Sequence, residues 1–258
     1  MRNDYFKCSE NLSKHLCLEI APLCSPILPP SHKNSRYLDI FSREELQAKF
    51  KDFNTVDVNS IINIHYVQKN NKPYKEIVGQ DRFGLIIASH VIEHVPNLIG
   101  WLNNIDSILL DGGIVQLAIP DKRYCFDFRR RLTEMSDIIG AYLDNRTQLP
   151  PSLIYDFYMN AHNEFINDPV ALHAGNASKE LIVKKEYHDI AYSFAANSLI
   201  EYKDVYANVH AWVWTPEVFV RQMKLLRANN LINLSIVDEE VVVTKHNTLE
   251  FFITFRKG

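Results

Sequence analysis

The chain has 258 residues, 47% apolar and 23% charged, an ordinary balance for one globular domain with a sizeable core. A formal net charge of −3 argues against a general nucleic-acid binder, and no apolar run approaches the ~20 residues of a membrane span. Cys8, Cys17, Cys24 and Cys125 lack metal-type spacing and the N-terminus has no apolar h-region, so free thiols in a cytoplasmic protein are expected.

In chain order, "CLEIA" reads as a first strand and "RYLDIF" as a second. "SREELQAKF" follows as a helix, with Ser42 as N-cap and Glu45 completing a capping box. "INIHYV" is expected as a third strand and "FGLIIAS" as a fourth. Leu98, Leu102, Ile105, Ile108 and Leu109 then share one helical face, and Gly112-Gly113 is expected to end that helix. "IVQLAIP" is a fifth strand closed by Pro120. This alternation predicts a parallel sheet with helices on its faces.

Residues 131–208 read mainly as helices, interrupted at Pro150-Pro151 and near Pro169 and Gly175, and rich in Tyr and Phe between Tyr142 and Phe194. "NVHAWVWT" returns to alternation, which would place His210 on a strand face with Trp212 and Trp214. Thr215-Pro216 starts an amphipathic helix through Leu226. "INLSIVDEEVVV" and "LEFFITFRK" close the chain as strands, expected antiparallel because the link between them is too short for a crossover. The fold class is therefore α/β: a Rossmann-like, mostly parallel sheet with flanking helices, a helical insertion over 131–208 and a C-terminal antiparallel strand pair. All 258 residues are read as one domain.

Two acids carry the chemistry. Glu19 ends the first strand and Asp39 the second, twenty residues on, where a carboxylate accepts hydrogen bonds from ribose hydroxyls. Yet the turn after Glu19, "EIAPLCSP", has no glycine, and the first glycine of the chain is Gly79. A pyrophosphate needs converging backbone N–H groups at a Gly-rich turn, so this turn counts against a dinucleotide more than against S-adenosylmethionine (SAM), which has no phosphate. His90-x-x-Glu93-His94 matches a zinc-peptidase signature, but it follows directly on a strand and Pro96 disfavours helix at Val95. No metal centre is expected there; structural hydrogen bonding and catalysis stay open for each histidine. Arg129-Arg130-Arg131 reads as a solvated face. For His210, a satisfied core histidine and a base above an aromatic floor both stay open.

With these residues placed, "LEIAPLCSPI", "YLD", "IASHVIEHVPNLIGWL", "LLDGG", "IPDKRYCFD" and "VHAWVWT" resemble the class I SAM-dependent methyltransferases. The resemblance is strongest to a bacterial subgroup often encoded beside glycosyltransferases. It implies that Glu19, Ala21, Pro22 and Asp39 line a SAM site, with Ala88, Ser89 and His90 closing it near the sulfonium. Two positions depart from that pattern: the turn glycine is Ala21, and a third-strand aspartate is His65, next to Tyr66, both still expected at the adenosine. The implied function is O-methylation of a sugar hydroxyl in a surface polysaccharide or its lipid-linked precursor. His210, His94 and Asp121 are the candidates for taking the acceptor's proton and orienting it, with the 131–208 insertion as a lid. The alternative, suggested by Ala21 and His65, is an inactive methyltransferase-like module in glycan binding or assembly. The expected partners are a sugar or lipid-linked glycan acceptor and no nucleic acid; a homo-oligomer stays open.

Overall fold

Strands Leu16–Ile20 (β1) and Phe83–Ser89 (β4) are almost wholly buried apolar runs, the signature of parallel strands covered on both faces. The computed structural model describes residues 5–6, 8–161, 185–199, 209–243 and 249–258. Among these, an eight-stranded sheet runs in the order β3-β2-β1-β4-β5-β8-β6, with β7 also paired to β8. The remaining strands are Ser35–Asp39 (β2), Tyr66–Val67 (β3), Leu109–Pro120 (β5), Leu234–Ile236 (β6), Val242–Val243 (β7) and Glu250–Lys257 (β8). The first five are parallel, whereas β8 runs antiparallel to β5, β6 and β7. The expected closing pair is therefore present, with β8 inserted between β5 and β6.

From β1 the chain moves outward through β2 and β3, then returns to the other side of β1 as β4. Strand order reverses at β1, so a crevice opens at the carboxyl ends of β1 and β4, where α/β sheets bind ligands.

Helices cover the sheet: Cys8–Leu12 (α1), Arg43–Phe50 (α2), Tyr74–Val78 (α3), Leu98–Ile108 (α4), Met135–Leu143 (α5), Pro151–Asn160 (α6), Lys185–Asn197 (α7) and Pro216–Ala228 (α8). The capping box of α2 forms as expected: Ser42 Oγ accepts from Glu45 N, and the Glu45 carboxylate from Ser42 N. In α4, Leu98, Trp101, Leu102, Ile105 and Ile108 are buried at helical spacing, and the Asn97 side chain accepts from Gly100 N.

Three local expectations change. The helix before β5 ends at Ile108, not at the glycine pair, because Leu109 turns extended and pairs with Phe83. Pairing then moves five residues along β5, from Leu109 to Ile114, against two along β4. Gly112 (φ +71°) and Gly113 absorb that irregularity; a Cβ on Gly113 would lie 2.8 Å from the Leu110 carbonyl. The third strand shrinks to two residues, since Ile62 and Ile64 pack into a core instead of joining the ladder. Residues 209–214 form no strand: a single bridge joins Trp214 to Asp121, and the segment docks on the Glu93 carbonyl through the amides of Ala211 (2.6 Å) and Trp212 (3.2 Å).

Side chains from the two faces of the sheet enter two cores. The larger contains Trp101, Trp212, Trp214, Phe219, Phe251 and Phe255; the smaller contains Phe6, Leu12, Tyr37, Leu85, Ile87 and Phe252. Within 131–208, the described parts are largely helical, as α5, α6 and α7. Phe165, Pro169 and Gly175, on which part of the insertion reading rested, lie outside the described residues.

Candidate active site

The crevice begins at the backbone. Ala21 follows β1 with φ +52° and His90 follows β4 with φ +54°, while Leu23 holds φ +50° in the same first turn. Left-handed conformation costs an L-residue about 1–2 kcal/mol, so the surrounding structure enforces it on both sides of the crevice. The Ala21 amide donates to the Leu38 carbonyl (2.9 Å) and the His90 amide to that of Ala118 (3.0 Å), which ties each turn to the neighbouring strand. Ala21 is exposed, Pro22 buried.

Glu19 is buried, and its carboxylate accepts from the amides of Ile27 (2.9 Å) and Leu28 (2.8 Å). It braces the first turn across eight and nine residues of chain, which places a second layer of structure beneath the crevice. Asp39 is also buried, at 7% exposure, and accepts from the Phe41 amide (3.1 Å). Burial raises its pKa to about 6, against the hydrogen bonds of Phe41 and Ile40 and the charges of Lys49 and Lys69. A desolvated carboxylate at a strand's carboxyl end is able to accept from two vicinal hydroxyls.

His65 and Tyr66 stand lower than expected. Tyr66 pairs with Leu38 and Val67 with Asp39, so Val67 and Gln68 occupy the carboxyl edge of β3. The His65 Nδ1 accepts the Tyr37 amide (3.2 Å), and burial with the Arg36 charge lowers its pKa. The Tyr66 hydroxyl donates to Asp81. Ala88 points into the larger core, leaving only backbone at the crevice, while Ser89 is half-buried at the end of β4.

Beyond β4 lies a polar cluster in which Glu93 and Glu250 are buried and His90 is exposed. His90 Nε2 meets Glu250 at 2.8 Å and its Nδ1 meets Glu93 at 3.4 Å. Burial alone would lower the His90 pKa, but the two carboxylates raise it to about 9. The stretch Ile92–His94 is a three-residue 3-10 turn, so the two helical turns that the peptidase signature requires are absent. His94 Nδ1 pairs with the Val209 carbonyl (3.1 Å) and His210 Nδ1 with Asp127 (2.5 Å). The two imidazoles meet edge to face, 4.7 Å between centroids. Burial lowers the pKa of His94 to about 4 despite Glu93 beside it. Asp127 is buried, yet the His210 hydrogen bond and the charges of His210 and Arg130 hold its carboxyl below the ordinary range.

The aromatic floor differs from expectation. His210 contacts Phe126 (4.7 Å) and Phe157 (5.9 Å), whereas Trp212 and Trp214 stack on each other in the core. Asp121 stands apart from His210: Arg123 Nη2 (2.6 Å) and Nε hold its buried carboxylate. Asp127, in the same "IPDKRYCFD" stretch, is the histidine's partner instead, a residue sequence reasoning missed. Arg130 is no solvated cation either. It is 2% exposed and bridges Asp127 (2.8 Å) to Asp156 (2.7 Å). The insertion's aromatics divide: Tyr158 stacks on Phe194 (4.0 Å) between α6 and α7, while Phe157 faces His210.

Comparison with known proteins supplies the context. Among solved structures, the chain is similar to a protein from Listeria monocytogenes described as an S-adenosylmethionine dependent methyltransferase, with a TM-score of 0.43 and 10% identity over 99% of this chain and 96% of that one. It is similar to the methyltransferase CalH in complex with SAH, with a TM-score of 0.42 and 14% identity over 95% of this chain and 51% of that one. An O-methyltransferase family 2 protein from Planctomyces limnophilus in complex with apigenin gives 0.41 and 13% over 98% and 53%. The chain spans about half the length of several such structures. No curated relative matches the sequence. A family model described as a methyltransferase domain matches residues 16–168, more than half of the 258, from β1 through the reversal of strand order to beyond α6. The chain belongs to the methyltransferase-domain family.

Proposed function

We propose that the protein binds S-adenosylmethionine at the carboxyl ends of β1, β2 and β4 and transfers its methyl group to an acceptor oxygen. One observation carries this reading: Ala21 and His90 hold left-handed backbone on the two sides of the topological switch point. Strain of this kind persists where the backbone must be shaped for a ligand. The solved structures described as S-adenosylmethionine dependent or SAH-bound support the choice of cofactor. In this reading Asp39 accepts from the ribose hydroxyls, and Ala21, Pro22, Ser89 and the backbone of Ala88 and His90 line the methionine side. Glu19 keeps the first turn in shape. His65 and Tyr66 support the adenosine edge from below, through β2 and β3.

Transfer is an in-line displacement at the sulfonium methyl, so the protein's work is positioning and removal of the acceptor's proton. The cluster of His94 and His210, braced by Glu93 and Asp127, is the polar group beside the crevice suited to that task. Asp121 we assign to positioning, because it holds Arg123. A sugar hydroxyl, in a surface polysaccharide or its lipid-linked precursor, is the acceptor class favoured by the sequence resemblance.

Calorimetric titration with S-adenosylmethionine and S-adenosylhomocysteine tests the reading. Saturable binding and a raised melting temperature are expected. Asp39→Asn should weaken binding by roughly 1–3 kcal/mol, as charge-assisted hydrogen bonds are lost. His210→Ala should stop methyl transfer and leave cofactor affinity nearly unchanged. A folded protein that binds neither ligand at millimolar concentration would instead be a methyltransferase-like module without the activity.

A further inference from the structure

We infer that Glu93, His94 and His210 form a binding site for one divalent transition-metal cation of the Zn2+ or Co2+ class, and that an occupied site withdraws both Nε2 atoms from the proton transfer proposed above. These residues come from the turn after β4 and from a segment more than a hundred residues later. One ligand atom of each lies within 4.8 Å of the others. Glu93 Oε1 is 3.9 Å from Nε2 of His94 and 3.9 Å from Nε2 of His210. Ligand atoms around a tetrahedral ion with bonds of about 2.0–2.1 Å stand about 3.4 Å apart. Closure by about half an ångström along each carboxylate–imidazole edge, and by up to about 1.4 Å between the two imidazoles, would meet the requirement.

Two independent features point to a ligand. Glu93 is 1% exposed, and among the described residues neither of its carboxylate oxygens has a hydrogen-bond partner. Burying an ionised carboxylate without hydrogen bonds is costly unless charge compensates it. His90 Nδ1 lies 3.4 Å from one oxygen while its Nε2 is 2.8 Å from Glu250, so one imidazole is shared between two buried carboxylates. A cation would satisfy the Glu93 oxygens directly.

The second feature is the orientation of both imidazoles. Each meets an acceptor at Nδ1, His94 the Val209 carbonyl and His210 the Asp127 carboxylate. An N–H at Nδ1 leaves the lone pair at Nε2, on the side of Glu93. Backbone carbonyls and carboxylates hold metal-ligating histidines in this manner. The peptidase-like spacing of His90 and His94 is incidental: His90 points to Glu250, and the second histidine of the set is His210. Since His94 is the half-buried member, an oxygen ligand such as water would complete the coordination from its side.

The test needs neither cofactor nor acceptor. The full chain, stripped with chelator, is titrated with Zn2+ by calorimetry and with Co2+ by visible absorption. One ion per chain in the micromolar range or tighter is expected, with the d–d bands of a nitrogen and oxygen site and no thiolate charge-transfer band. His94→Ala should weaken binding at least tenfold, and Asp127→Asn by roughly 10–100-fold as the orienting partner is lost. The exposed His188→Ala should bind as the parent does. X-ray absorption of the zinc-loaded parent gives the same answer without variants, as two imidazoles and a carboxylate. A parent protein that binds neither ion, a sulfur-ligated spectrum, or unchanged affinity in a folded His94→Ala variant would each overturn the site.

Discussion

Ala21 takes a conformation that costs an L-residue about 1–2 kcal/mol, and its exposed Cβ gains little burial in return. Ala21→Gly removes that cost but adds backbone entropy to the unfolded chain, about 0.4–1 kcal/mol. The net expectation is a gain of about 0.5–1 kcal/mol, read as a melting point raised by roughly 1–4 °C for a chain of this size. An unchanged or lower melting point would show that the turn is not strained at Ala21. At Asp39 the expected effect on stability has the opposite sign from its effect on binding. Its folded pKa, about 6, lies above its ordinary 3.8, so the ionised form opposes folding. That penalty is fully present above pH 6 and is relieved as pH falls from 6 toward 4. Asp39→Asn should therefore stabilise the free protein by roughly 1–2 kcal/mol well above pH 6, and the gain should disappear below about pH 4. Denaturant titrations at several pH values would expose a flat difference, which would contradict the assignment. The placement of both residues was legible in the sequence because each stands at the carboxyl end of a readable strand. Asp127 was not, since its meaning depends on His210, 83 residues later, and no local pattern pairs them.

Helix α2 shows how one element holds the crevice. It starts four residues after Asp39 and buries only Leu46, so little packing stabilises it. Its capping box and the Lys69–Glu45 contact (2.7 Å), which ties it to the chain after β3, carry much of its definition. Ser42→Ala should cost about 1 kcal/mol, and faster amide exchange should be confined to the first turn of α2 and the loop before it. Exchange that rises equally across β1 and β4 would show that the cap is not a local device. This helix was readable from nine residues of sequence because capping is local chemistry. The third strand and the segment 209–214 were misread for the converse reason. Alternation in "INIHYV" and "NVHAWVWT" reports burial of one side, and burial of one side does not require a ladder. In the first stretch His65 answers the Tyr37 amide with a side chain, and in the second the Glu93 carbonyl answers two amides.

At the scale of the whole molecule, the last strand makes one body of the two cores. Along β8, Phe251, Ile253 and Phe255 enter the larger core while Phe252 enters the smaller, against Tyr5 (4.6 Å) and Phe6 (5.9 Å). Buried Thr254 points the same way as Phe252, toward the Tyr5 hydroxyl (2.8 Å) and Gln116. Strands β1, β2, β4, β5 and β8 each supply side chains to both cores by this alternation, so neither core can be lost while the ladder and the other core persist. Trp101, Trp212 and Trp214, the three tryptophans of the chain, all lie in the larger core. Fluorescence therefore reports one face of the sheet, and far-ultraviolet circular dichroism reports helices on both. Phe252→Ala, on the face away from every tryptophan, should cost about 3–5 kcal/mol. It should shift the denaturation midpoints of both probes by the same amount, in a single transition. A shift seen by circular dichroism while the tryptophan transition stays in place would mean that the two faces unfold separately, and that β8 does not couple them.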